Sequence, residues 1–398
     1  MTHLSIITIE GAKRLSVQQE LELHRVAHAR NPKSLFMRAR LATLMMQSDL
    51  FEHAISLLDG QQDLSHVEFM VLIQSLLAAE TPEANRRVCD IAQAAATVAT
   101  TDGQRAAALA DLGKAQVRLG DAAARTTLEH ALALDPTNKN ACKRLAAWLL
   151  DRNDPEGVLE FTRRCEALGA THPRHFAAQV LALARLGRLD EARQLDGRQT
   201  LGMACALSPP PGWDSIDAFN AALAGQLLAH PGLRYERYGT ASEKTWRVDS
   251  PNTPEAPLVG VLLDQICANI ERHFAQLAEF AHPWLAASAK DGTLHCWCVI
   301  TEGTGHETWH VHQFGSLSGV YYVAVPDEVD LSDDFGGCLA FGLPPEIVGG
   351  DNAEAFGLEI VRPVPGEMRI FPSHTYHRTY PHFGSSKRIC IAYDLWPA

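Results

Sequence analysis

Short interruptions at Ser48-Asp49, Thr81-Pro82, Gly120-Asp121, Asn153-Asp154 and Gly187-Arg188 recur at roughly 33 or 34 residues, apart from one longer step across residues 82 to 120. Between them, from about Ser16 to Leu195, apolar residues fall at helical spacing in a sequence rich in Ala, Leu, Arg, Glu and Gln. A fixed interval of that length marks stacked helix-turn-helix units, each too small to bury its apolar face alone. Pro136 to Leu150 reads as a Pro-led amphipathic helix, Asn153-Asp154 as its turn, and Val158 to Cys165 as the partner helix. Ala178, Leu181, Leu183 and Leu186, followed by Gly187 to Ala192, repeat the pattern.

The period changes in the second half. From Asp196 to Trp213 the helical pattern is interrupted by Gly197, Gly202, Ser208, the prolines 209 to 211 and Gly212, which predicts a domain boundary. Helices follow over Ile216 to Leu228 and Pro257 to Phe280, with residues Tyr235 to Pro254 read as loop or edge strand. After Asp291-Gly292 the apolar period becomes two. Leu294–Ile300, Ser318–Val325, Gly337–Phe341, Glu359–Val361, Met368–Phe371 and Arg388–Leu395 read as short strands of an antiparallel barrel or jelly roll. The expected fold is α+β in two domains: a helical repeat domain over 1–200, a Pro/Gly-rich linker over 201–212, and a mostly β domain with supporting helices over 213–398.

Bulk properties exclude several functions. A net charge of −12 argues against binding nucleic acid through its backbone, which needs clustered Lys and Arg. No apolar run approaches the roughly 18 residues of a membrane span, and residues 1–7 lack a cationic leader, so the expected location is cytoplasmic. The nine cysteines are odd in number and contain no Cys-x-x-Cys pair. Cys296 and Cys298 would share one strand face, and they read as a reduced, structural pair rather than a metal or redox site.

The chemistry concentrates around Trp309-His310-Val311-His312 and Phe371-Pro372-Ser373-His374-Thr375-Tyr376-His377. Along an extended segment His310 and His312 point to the same side, so two imidazoles can converge on one metal, with His377 as the natural third ligand. Neutral imidazole suits Fe, Zn, Cu and Ni, and three ligands on one face leave open positions for substrate or O2. His306, His374 and His382 read as surface or hydrogen-bonded histidines, the latter two being the obvious substitutes for His377. Glu307 reads first as a solvated loop charge, with a metal ligand or a partner to one as the alternative.

These motifs carry family resemblances. The segments Leu112 to Pro136 and Pro173 to Leu195 resemble tetratricopeptide repeats, which implies a solenoid whose concave face can receive a peptide. His310-Val311-His312, Leu317-Ser318-Gly319-Val320-Tyr321-Tyr322-Val323, Gly336 to Phe341, Phe371-Pro372-Ser373, His377 and Arg388 to Tyr393 resemble the Fe(II)- and 2-oxoglutarate-dependent dioxygenases. They fit the branch with a His-x-His and a Leu-Ser-Gly-Val-Tyr-Tyr strand. That resemblance implies a double-stranded β-helix, Fe(II) on His310, His312 and His377, and 2-oxoglutarate and O2 as co-reactants, with no catalytic side chain beyond the metal site. It implies that Arg388 pairs with the distal carboxylate of 2-oxoglutarate and that Tyr322 and Ser318 donate hydrogen bonds to it. The expected activity is hydroxylation of a C–H bond, first of a peptide or protein side chain recruited by the repeats, second of a small molecule. Homo-oligomer formation is left open. The terminal strand also resembles that of the aspartyl/asparaginyl hydroxylases, which join similar repeats to an oxygenase domain. Two further alternatives are a three-histidine dioxygenase that needs no 2-oxo acid and a non-catalytic interaction protein.

Overall fold

The structure, a computed structural model, describes residues 7–11, 15–330 and 334–397. It contains two compact units, one made of Leu15–Thr171, the other running from His172 and including the N-terminal strand Ile7–Ile9. Among the described residues no helix is long and apolar enough to cross a membrane.

The first unit is helical throughout, from Val17–Arg30 to Pro155–Ala167. Three of its breaks share one physical origin. Asp49, Gly120 and Asn153 all adopt the left-handed conformation, at φ of 60°, 71° and 56°. The amide that follows each of them donates, at 2.9 Å, to a carbonyl five residues back: Leu50 to Met45, Asp121 to Gln116, Asp154 to Leu149. This closure satisfies carbonyls at a helix end and reverses the chain. New helices start on side-chain caps, as at Ser65, Thr101 and Asn138, whose oxygens accept the amide three residues on. The longer step after Thr81 is filled by two long helices, Pro82–Val98 and Asp102–Leu119. Fully buried Leu44, Leu58, Ile73, Val88, Leu128 and Leu145 form the interior, each worth about 1.5–3 kcal/mol of burial.

The boundary of the second unit differs from the one expected at 201–212. Pro173–Arg185 and Leu189–Asp196 continue the helical pattern but pack within this unit against the short helices Pro345–Val348 and Gly350–Phe356. Arg185 Nη1 donates to Ile347 O (3.0 Å) and Arg193 Nε to Phe356 O (3.1 Å). The stretch read as a linker supplies a strand, Met203–Ala206, which pairs antiparallel with Glu367–Pro372. Four residues without a β-branched side chain gave no strand signal.

The large sheet runs in the order Met203–Ala206, Glu367–Pro372, Leu317–Ala324, Arg388–Trp396, Gly292–Thr301, Trp246–Asp249 and Arg234–Tyr235, with Ile7–Ile9 added in parallel beside Gly292–Leu294. A second sheet holds Glu359–Val361, Leu339–Phe341 and His377–Thr379. The closed jelly roll expected from the strand pattern is not formed by strand pairing among the described residues. Among the described residues the large sheet keeps open edges and shares no ladder with the small one.

Alternation divides the faces of the large sheet. Tyr321, Val323, Ile389, Ile391, Tyr393, Cys296 and Cys298 pack with Phe219, Leu223, Leu262, Ile266 and Ile270 of the helices Ile216–Leu228 and Pro257–Gln276. Cys296 and Cys298 are free and buried in that core, and burial pushes both thiols up. The other face, carrying Val320, Tyr322, Arg388, Cys390, Trp297 and Val299, borders a cavity that Leu339 and His377 of the small sheet complete. Gly319 allows the central strands to approach. A Cβ there would lie 2.3 Å from Arg369 O and 2.4 Å from the Tyr393 ring.

Candidate metal centre

Backbone pairing gathers the three histidines. His310 N donates to His377 O (3.0 Å), His377 N returns a bond to His310 O (3.1 Å), and His312 N donates to Ser373 O (2.9 Å). Beyond that single bridge the His310–His312 segment is extended but not part of a regular strand. The ring centroids lie 4.1 Å (His310–His377), 5.0 Å (His312–His377) and 5.2 Å (His310–His312) apart. One nitrogen from each ring lies within 4.8 Å of the others.

The acceptors behind the rings decide which nitrogens face inward. Nδ1 of His310 sits 2.7 Å from Thr308 O, Nδ1 of His377 3.0 Å from Thr375 O, and Nδ1 of His312 2.5 Å from Asp394 Oδ1. Carbonyl and carboxylate oxygens only accept, so these partners assign a hydrogen to each Nδ1 and leave each Nε2 as the nitrogen available to a metal. His310 Nε2 and His312 Nε2 lie 3.3 Å apart. Two ring nitrogens that close need either a proton or a cation between them. Three neutral imidazole donors in this arrangement fit a divalent Fe, Zn, Cu or Ni ion.

Burial favours the neutral form of His310 and His377. It lowers His310 to about 3, helped by the neighbouring His312, and holds His377 well below the usual histidine range. Burial also lowers His374 to about 4. A base whose folded pKa is depressed binds fewer protons in the folded than in the unfolded chain once the pH drops below about 6.5. The metal-free protein should therefore hold its full stability above about pH 6.5 and lose it progressively as the pH falls toward 4. Denaturant midpoints across pH 4–8 measure this, and a flat profile would show that these rings are solvated in solution.

The cavity beside the rings has apolar walls, Trp297, Val299, Val320, Leu339 and Phe371, and a few polar groups. Arg388 is 2% exposed, donates from Nη1 to Gly337 O (2.5 Å), leaves Nε without a partner, and has no carboxylate at ion-pair distance among the described residues. Tyr322 lines the same cavity, its phenol pushed up by burial. Ser318 does not line it. Its Oγ donates to Asp394 Oδ1 (2.7 Å) and lies 2.7 Å from Ser373 Oγ, so the hydroxyl expected on a cosubstrate is engaged by Asp394 instead.

Glu307 departs from expectation too. Rather than a solvated loop charge it is half-buried and lines the cavity, with Ser242 Oγ donating to Oε1 (2.5 Å) and burial raising its carboxyl. His306, His374 and His382 lie outside the metal cluster, each with one ring nitrogen at a carbonyl: His306 Nδ1 at Thr304, His374 Nε2 at Leu195 and Asp196, His382 Nε2 at Thr301. Asp394 is the residue that sequence reasoning missed. Its signal was spacing: 388, 390, 392 and 394 share one strand face, and the first three line the cavity.

Residues 295–394 match the profile of a family described as "Putative 2OG-Fe(II) oxygenase". No curated protein gave a significant match. Among solved structures the chain is similar to a Pseudomonas putida prolyl-4-hydroxylase, at 15% identity over 54% of this chain and 99% of that one, with a TM-score of 0.34. It is similar to a 2OG-Fe(II) oxygenase family oxidoreductase from Burkholderia pseudomallei, at 11% identity over 53% and 90%, TM-score 0.31. It is also similar to YrrB, a TPR protein with an unusual peptide-binding site, at 16% identity over 44% and 93%, TM-score 0.34. Over residues 295–394 the chain is thus similar to the 2OG-Fe(II) oxygenases, and the imidazole cluster inside that stretch could hold a metal, with three histidines where a two-histidine, one-carboxylate set is usual in non-haem Fe(II) oxygenases.

Proposed function

We propose that His310, His312 and His377 hold Fe(II), and that the protein oxidises with O2 a small organic acid whose carboxylate rests on Arg388, without a 2-oxo acid as cosubstrate. The observation that carries this reading is the cluster itself: three imidazoles and, among the described residues, no carboxylate grouped with them. The metal supplies the O2 activation. The chain's own part is orientation and exclusion. Thr308 O, Thr375 O and Asp394 fix the three rings, Arg388 offers a fork of donors to a carboxylate, and Trp297 and Phe371 keep water from the reacting carbon.

A second reading is favoured by the family match: 2-oxoglutarate as cosubstrate, its distal carboxylate on Arg388 and Tyr322, and hydroxylation of a peptide side chain. In it the first unit is a tetratricopeptide-like solenoid that recruits the peptide, the second a double-stranded β-helix, and the protein works in the cytoplasm. Anaerobic titration of the metal-free protein with Fe(II), then 2-oxoglutarate, separates the two. Iron binding without a visible metal-to-ligand charge-transfer band supports the first reading. A band on adding 2-oxoglutarate supports the second, and failure to bind iron defeats both.

A further inference from the structure

We infer that Asp394 replaces, from behind His312, the negative charge that a ligating carboxylate would otherwise give the metal, and that Ser318 and Ser373 hold it in place for that role. The inference rests on the metal-centre reading above and adds a positioning residue to it.

Asp394 is 5% exposed, and among the described residues its one ionic contact is His312 Nδ1 at 2.5 Å. A buried carboxylate without Lys or Arg costs several kcal/mol in real proteins unless positive charge reaches it another way. Through His312 it can: a cation on Nε2 polarises the imidazole and strengthens the Nδ1–H bond to Asp394. With three neutral imidazoles a divalent ion keeps a local charge of about +2, and the adjacent carboxylate brings it to about +1, the value a two-histidine, one-carboxylate set would give.

The surroundings fit this role. Asp394 lies opposite Ser318 in the strand register, and Ser318 opposite Phe371. Ser318 Oγ donates to the same oxygen, Oδ1, that His312 uses, and Ser373 Oγ lies 2.7 Å from Ser318 Oγ. The loop after His312 passes so close that a Cβ at Gly315 would lie 2.9 Å from Ser373 Oγ and 3.0 Å from Asp394 Cβ. Two hydroxyls and a glycine thus fix the carboxylate on its imidazole, and Ser373 O accepts the amide of His312.

The test is Co(II) binding to the metal-free full chain, followed calorimetrically and by the visible Co(II) spectrum, for the wild type, Asp394→Asn, Ser318→Ala and His377→Ala. Asn keeps the shape and an acceptor oxygen while removing the charge. Asp394→Asn should weaken binding about 10–100-fold and Ser318→Ala less, with the metal-free fold intact by circular dichroism. In the iron-loaded protein the Fe(III)/Fe(II) potential should rise in Asp394→Asn, because losing a negative charge favours the reduced ion; a purely steric role would leave it unmoved. Wild-type affinity and an unchanged potential in Asp394→Asn would overturn the inference while leaving the metal centre standing. Equal Co(II) binding by wild type and His377→Ala would overturn the centre, and the inference with it. If Asp394→Asn does not fold, Ser318→Ala decides: affinity unchanged counts against the inference, a several-fold loss for it.

Discussion

His377→Ala is expected to eliminate high-affinity metal binding, while His374→Ala, three residues away in the same segment, is expected to leave it within a few-fold of wild type. Both rings are buried, at 5% and 1% exposure, so the contrast does not come from solvent access. It comes from where the nitrogens point. His377 turns Nδ1 back to Thr375 O and joins His310 and His312 in the cluster, whereas His374 gives Nε2 to the carbonyls of Leu195 and Asp196. Removing one of three ligands should exceed the about 10–100-fold loss typical of an outer hydrogen-bond partner. His374→Ala should instead lower stability, because two carbonyls lose a buried partner and the Phe176 ring its neighbour at 5.1 Å. Co(II) titration beside thermal melts of both variants measures the difference. Loss of binding in His374→Ala with retention in His377→Ala would reverse the ligand assignment.

The residues that were legible in the sequence are those whose role depends on local spacing. The turns at Asp49, Gly120 and Asn153 recur because each helix pair needs a left-handed residue at the same place, so the period announces itself. The strand cores over Leu317–Ala324 and Arg388–Trp396 follow from alternation, and so does the convergence of His310 and His312. What was not legible depends on tertiary pairing. Met203–Ala206 is a strand only because Glu367–Pro372 lies beside it, and the helices from Pro173 to Leu201 join the β unit although their sequence continues the repeat. Ser318 shares its strand with the cavity-lining Tyr322, yet the register sets it against Asp394. Glu307 looks like a loop charge until Ser242, far back in the chain, is seen to cover it. An acidic residue at the end of a terminal strand carries no mark that an imidazole from another segment will rest on it.

Arg388→Met is expected to leave the metal-free protein as stable as wild type or raise its melting temperature by a few degrees, and to weaken a bound carboxylate ligand on the order of 100-fold or more. The guanidinium is buried, holds one carbonyl through Nη1, and has neither a partner on Nε nor a carboxylate at ion-pair distance among the described residues, although the Glu307 carboxyl on the same cavity feels its charge. A buried cation without an ion-pair partner is a burden on the fold, and exchanging buried charge for a well-packed apolar side chain is often neutral or stabilising by about 1–4 kcal/mol. Against that stands the loss of one hydrogen bond to Gly337 O, worth about 1.5–3 kcal/mol because the donor is charged. The two nearly cancel, so stability gives no reason for an arginine at this place. A ligand does: charge-assisted bonds from the free part of the fork to a carboxylate are worth about 1.5–3 kcal/mol each, and two of them exceed a hundredfold in affinity. The measurement pairs a melt of the metal-free variant with binding of small mono- and dicarboxylates to the metal-loaded protein. A melting temperature many degrees lower would mean that the guanidinium is a structural clamp on Gly337. An unchanged melt with lost binding would make Arg388 the group that selects an acid for this cavity, whether that acid is the substrate or its 2-oxo cosubstrate.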